Sequence, residues 1–101
     1  MSANKRFLSL LDELRQIHTD KSAGYAGVDN PDAFANFRLS EGFGVSAFKG
    51  CLIRMSDKFT RIVNLVKNPD NEKLGESIKD TLLDLSSYAL IAICLLEEKE
   101  Q

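Results

Sequence analysis

The chain has 101 residues, of which 44% are hydrophobic and 28% charged, and its formal net charge is −2. That is the size and make-up of one soluble globular domain, residues 1–101, with a modest core. The charge balance argues against a protein that coats a nucleic-acid polymer, which carries a basic excess, but a small nucleotide needs only a local cluster.

Four helical stretches are predicted and no strands, so the expected fold class is all-α. The first runs from about Ala3 to His18, where Phe7, Leu8, Leu10, Leu11, Leu14 and Ile17 recur at the helical period. Thr19 to Pro31 holds Gly24, Gly27, Asp29, Asn30 and Pro31 and is predicted as a long loop, a feature that in compact domains is often functional. A short helix follows from about Pro31 to Glu41, with Asn30 as its cap, Pro31 at its first position, and Gly42 and Gly44 ending it.

The third helix opens on Ser46 as N-cap and reaches about Lys67, with Phe48, Leu52, Met55, Phe59, Ile62 and Val66 as its apolar stripe. Asn68-Pro69-Asp70-Asn71 breaks it. The last helix starts near Lys73 and enters the Glu97–Gln101 tail. Its run Ala89–Leu96 is apolar on every side, which predicts burial on every side and hence a subunit interface in a dimer or larger homo-oligomer. The short connection between the last two helices predicts antiparallel packing as a hairpin.

Cys51 and Cys94 lie in apolar runs and are expected to pack as small hydrophobes. Their spacing fits no zinc motif, and His18, the only histidine, cannot build a histidine metal site or triad by itself. Asn4-Lys5-Arg6 leads into an amphipathic segment, so no signal peptide is expected. The longest apolar run is far short of the ~20 residues that span a bilayer. A cytoplasmic location without a membrane partner is expected.

Two groups of residues carry chemistry. Glu76, Asp80 and Asp84 stand one helical turn apart, a ladder of like charges that repel by roughly a few tenths of a kcal/mol per pair. On the preceding helix Arg54, Asp57, Lys58 and Arg61 fall within two turns. Packed as a hairpin, the two helices would bring carboxylates and cations together. One outcome is a salt-bridge network in which Arg61 or Lys58 neutralises Asp80. The other is a Mg²⁺ site of Asp57, Glu76, Asp80 and Asp84, with the cations on phosphate oxygens. The second group, Lys21, Tyr25, Asn36 and Arg38, lies on or just after the glycine-containing loop. A ring there can stack on a base while Lys and Arg meet phosphate, or the tyrosine can simply cover the core. No glycine pattern matches a Walker or Rossmann loop, and no nucleophile–base pair is present.

Tyr25-Ala-Gly, Phe34-Ala-Asn-Phe-Arg38 and Glu41-Gly-Phe-Gly44 resemble the front half of a small phage and bacterial family, the nucleotide-modification-associated domain family. Ile53-Arg-Met-Ser-Asp57-Lys-Phe-Thr-Arg61 and Glu76-Ser-Ile-Lys-Asp80-Thr-Leu-Leu-Asp84 resemble its back half. That family is similar to the all-α nucleoside triphosphate pyrophosphohydrolases, which are oligomeric and Mg²⁺-dependent. The resemblance implies Asp57 on a first metal-ligand helix, with Glu76, Asp80 and Asp84 on a second. It implies Lys58 and Arg61 on phosphates, and Tyr25, Asn36 and Arg38 on the base or sugar side. The Glu-x-x-Glu pair of those enzymes has no counterpart here. Cleavage of a nucleoside triphosphate and retention of an intact nucleotide both stand as expectations. The second would suit a phage protein that sequesters a signalling nucleotide in the host cytoplasm. A purely structural helical domain is the third.

Overall fold

The structure, a computed structural model, describes residues 2–26, 32–68 and 74–100, without the side chains of residues 22–26, 74, 76, 99 and 100. Among the described residues all regular structure is helical, in the order α1 (Lys5–Ala26), a 3₁₀ helix (Ala35–Phe43), α2 (Ala47–Lys67) and α3 (Leu74–Glu100). The chain divides into two compact units, Met1–Asn36 and Phe37–Gln101.

In the first unit, Asn4 caps α1: its Oδ1 accepts from the Phe7 backbone N–H at 2.9 Å. α1 then runs eight residues past the expected end at His18, into the segment predicted as a loop. Polar side chains around the expected end are satisfied on the helix surface. Thr19 Oγ1 donates to the Arg15 carbonyl at 2.9 Å, and Gln16 Nε2 donates to Asp20 Oδ1 at 3.0 Å. Gly24 costs about 1 kcal/mol relative to Ala inside a helix, and the helix carries that cost. The Asn30 cap and Pro31 lie outside the described residues. Asp32 makes the next turn, accepting from the Phe34 N–H at 3.0 Å, and the His18 and Phe34 rings lie 6.1 Å apart, tilted by 41°.

In the second unit, the 3₁₀ helix ends where Gly44 takes φ +80°, the left-handed conformation that glycine adopts without steric cost. The expectation that Gly44 stops this helix therefore has its cause in the backbone. Ser46 caps α2 as the sequence predicts, accepting from the Lys49 N–H at 3.2 Å. The core consists of Phe37, Ala47, Cys51, Tyr88, Ile91, Ala92 and Leu95. Phe37 meets Tyr88 edge-on at 5.5 Å and 81°.

α2 packs on α3. The Cys51 thiol donates to the Tyr88 carbonyl at 3.3 Å, Lys58 meets Asp84, and Arg61 meets Thr81. The apolar run of α3 is split by this packing. Ile91, Ala92 and Leu95 are buried within the chain, whereas Leu90, Ile93, Cys94 and Leu96 are exposed. Among the described residues no helix is long and apolar enough to cross a membrane.

Gly50 has a packing role. A Cβ there would stand 2.6 Å from Ser40 Oγ and 3.0 Å from Ser40 Cβ. Ser40 Oγ already lies 3.3 Å from the Phe37 carbonyl and 3.2 Å from the Ser46 carbonyl, so it is pinned between the two. Gly50→Ala gains about 1 kcal/mol of helix propensity but displaces that hydroxyl. The expected net result is destabilisation by about 1 kcal/mol, read as a lower urea midpoint. The Ser40→Gly, Gly50→Ala double variant should recover much of it.

Candidate functional site

One flank of α2 carries Arg54, Lys58 and Arg61, at i, i+4 and i+7, and all three reach α3. Each head is held differently. Lys58 Nζ lies 3.4 Å from Asp84 Oδ2, with both side chains more than half covered. Arg61 Nε donates to Thr81 Oγ1 at 3.3 Å, while that hydroxyl donates onward to the Ser77 carbonyl at 2.7 Å. Arg54 Cζ stands 4.5 Å from the centre of the Phe37 ring and 5.3 Å from that of Tyr88. An arginine over aromatic faces is attracted by the ring quadrupole, by about 0.5–2 kcal/mol depending on desolvation.

Beyond Arg61, an open cavity of about 450 Å³ is lined by Asp57, Thr60, Arg61, Asn64, Leu65 and Asn68. These residues recur every three or four positions, so a single face of α2 supplies them. With one helix as its wall, it is an open surface groove rather than an enclosed pocket. Asn68 Nδ2 donates to the Asn64 carbonyl at 3.0 Å, which fixes one amide at the cavity's end.

Of the predicted metal ligands, Asp57 and Asp80 are exposed, Asp84 is half-buried, and the Glu76 side chain lies outside the described residues. The ion pair that forms is Lys58 with Asp84, whereas the sequence pointed to Asp80 as the neutralised acid. Among the described residues no three potential ligands gather as a metal-holding group.

The other predicted nucleotide contacts fall in both units. Lys21 and Asn36 are half-buried in the first unit, and the Tyr25 side chain lies outside the described residues. Arg38, in the second, grips both carboxylate oxygens of Glu98 through one terminal nitrogen, at 3.1 and 3.0 Å.

The settings of two side chains on this flank were not legible in the sequence. Thr81 looked like a helix-face polar residue, yet it is only 4% exposed and anchors Arg61. Arg54 stood in the right stretch, but its setting needs Phe37 and Tyr88 side by side, and no local spacing announces that. Comparison of the chain with protein-family models, curated proteins and solved structures finds no match.

Burial pushes the Cys51 thiol above its usual pKa, and the Arg54 charge opposes this only in part. Cys51 is buried and Cys94 exposed. Iodoacetamide at mildly alkaline pH should therefore add to Cys94 in the native chain and to both cysteines only after denaturation. Intact mass spectrometry reads this directly, and equal rates at the two thiols would contradict the packing.

Proposed function

We propose that this chain is a nucleotide-binding protein that receives phosphate on the Arg54–Lys58–Arg61 flank of α2 and holds its ligand intact. The observation that carries this reading is Arg61. It lines the cavity, is positioned by a neutral hydroxyl, and makes no ion pair with a described carboxylate. An arginine so placed keeps its full charge for an anion. Asn64 and Asn68 offer donors and acceptors at the far end, as a base or sugar requires. The motif resemblance points to the same ligand class and to a phage setting, where holding a signalling nucleotide would blunt host defence. The pairing of Lys58 with Asp84 favours holding over Mg²⁺-assisted cleavage, because it diverts one of the acids that a metal would need.

The test is incubation of the pure chain with a nucleotide panel, with and without Mg²⁺, followed by mass spectrometry of ligand released on heating. An unaltered nucleotide, and binding that survives EDTA, are expected. Arg61→Gln should weaken binding about tenfold or more, since a hydrogen bond to a charged group contributes about 1.5–3 kcal/mol. Appearance of the monophosphate and pyrophosphate would instead select the Mg²⁺-dependent pyrophosphohydrolase, and no binding of any nucleotide would select a structural domain.

The proposal extends to assembly. The paired partners descend along α3 as they ascend along α2, 51 with 88, 58 with 84, 61 with 81, which supports an antiparallel hairpin. Each helix also carries a second stripe at alternating spacings of four and three: Leu52, Ser56, Phe59, Val63 and Val66 on α2, and Leu82, Ser86, Ala89, Ile93 and Leu96 on α3. Leu52, Phe59, Val66, Leu82, Ile93 and Leu96 on these stripes are 38–61% exposed. That period is the seam of helices that pack on other helices, and a second copy supplies the same seam. Ile93→Glu is expected to lower the sedimenting mass. An unchanged mass would remove this interface. Ile91 is no substitute for the test, because it is buried within the chain and a charge there would unfold it.

A further inference from the structure

The charges on the polar flank of the second unit do not cancel evenly. Glu98 is taken by Arg38, with both oxygens engaged, and Asp84 is taken by Lys58. Arg54 and Arg61 make no ion pair with a described carboxylate, and exposed Asp57, which lies between them in sequence, pairs with neither. Yet both guanidinium groups are held by neutral partners, Arg54 by two rings and the exposed Arg61 by a buried hydroxyl. A surface arginine is ordinarily either free and mobile or immobilised by an acid that spends its charge. These two are held by groups that leave the charge whole.

We infer that Arg54 and Arg61 are the two ends of a preformed receptor for one ligand carrying at least two phosphoryl groups. This rests on the phosphate assignment made for the α2 flank and adds that its two arginines act together on one ligand. Three physical points support the pair over a single site. Arg54 is anchored at Tyr88 and Arg61 at Thr81, seven residues and about 10 Å apart along α3, farther than one phosphate spans. Arg61 has committed only its Nε–H, which leaves its two terminal amino groups, and Arg54 has hydrogen-bonded none of its five N–H groups to the described residues. Such planar donors take phosphate oxygens two at a time. Ordering the heads before the ligand arrives removes the side-chain entropy that binding would otherwise cost. Between them, the Lys58–Asp84 pair is neutral and adds no net charge to either end.

Isothermal titration of the full chain with inorganic triphosphate and with orthophosphate tests this, comparing wild type, Arg54→Gln, Arg54→Lys and Arg61→Gln. Wild type should bind triphosphate at least tenfold more tightly than orthophosphate. Arg54→Gln and Arg61→Gln should each weaken triphosphate tenfold or more and leave orthophosphate within about threefold. Arg54→Lys, which keeps the charge and loses the fork, should fall between wild type and Arg54→Gln. If Arg54→Gln does not fold, Arg54→Lys decides alone, and wild-type triphosphate affinity in that variant overturns the pair. Arg54→Gln binding triphosphate like wild type while Arg61→Gln loses it overturns the role of Arg54 and leaves the phosphate reading standing. No binding of triphosphate or of any nucleotide by wild type overturns both.

Discussion

The second unit depends on the contact between α2 and α3 at Cys51 and Tyr88. Cys51 is the most deeply buried residue of the core, and its thiol reaches the Tyr88 carbonyl across the seam. That close approach needs a small residue on α2, and it sets the register for the rungs below it. Once position 51 faces 88, the rise per residue sets 58 near 81 and 61 near 78, and the long Lys58 and Arg61 side chains lean towards the N-terminus of α2 to reach Asp84 and Thr81. The Tyr88 ring, fixed by the same contact, becomes a wall for Phe37 and a platform for Arg54. Packing and site are thus consequences of one register.

This arrangement gives the helix pair two unlike sides. One carries Arg54, Asp57, Lys58 and Arg61 with Asp80 and Asp84, and the other carries the exposed apolar stripe. A pair of helices long enough to pack but too few to enclose a core must leave one side apolar. The polar side is then the place where charge can be arranged for a ligand. Neutral anchors, a threonine hydroxyl and two rings, hold the cations there without consuming them.

The helices themselves were legible in the sequence because their signals are local. Ser46 at the head of α2, Gly44 behind it and the stripe from Phe48 to Val66 act within a turn or two. The extension of α1 was missed because glycine and polar residues were weighed as loop formers, whereas Thr19 and Gln16 find their partners on the helix. The flank was partly legible: Lys58, Arg61 and Asp84 could be nominated from spacing. Which acid meets which cation was not, since a shift of one turn along α3 exchanges Asp80 for Asp84. Arg54 was least legible of all. Its environment joins residues 37, 54 and 88, and only the fold makes them neighbours.

α3 is six residues longer than α2, 27 against 21, and with 51 facing 88 the surplus lies at its C-terminal end. There the 3₁₀ helix takes over as neighbour, through Arg38 and Glu98. That last stretch of helix therefore acts as a counterweight. Shortening it before Glu98 would take one carboxylate away from Arg38. The length of the C-terminal helix, far in sequence from Arg38, decides whether that arginine has a carboxylate to grip.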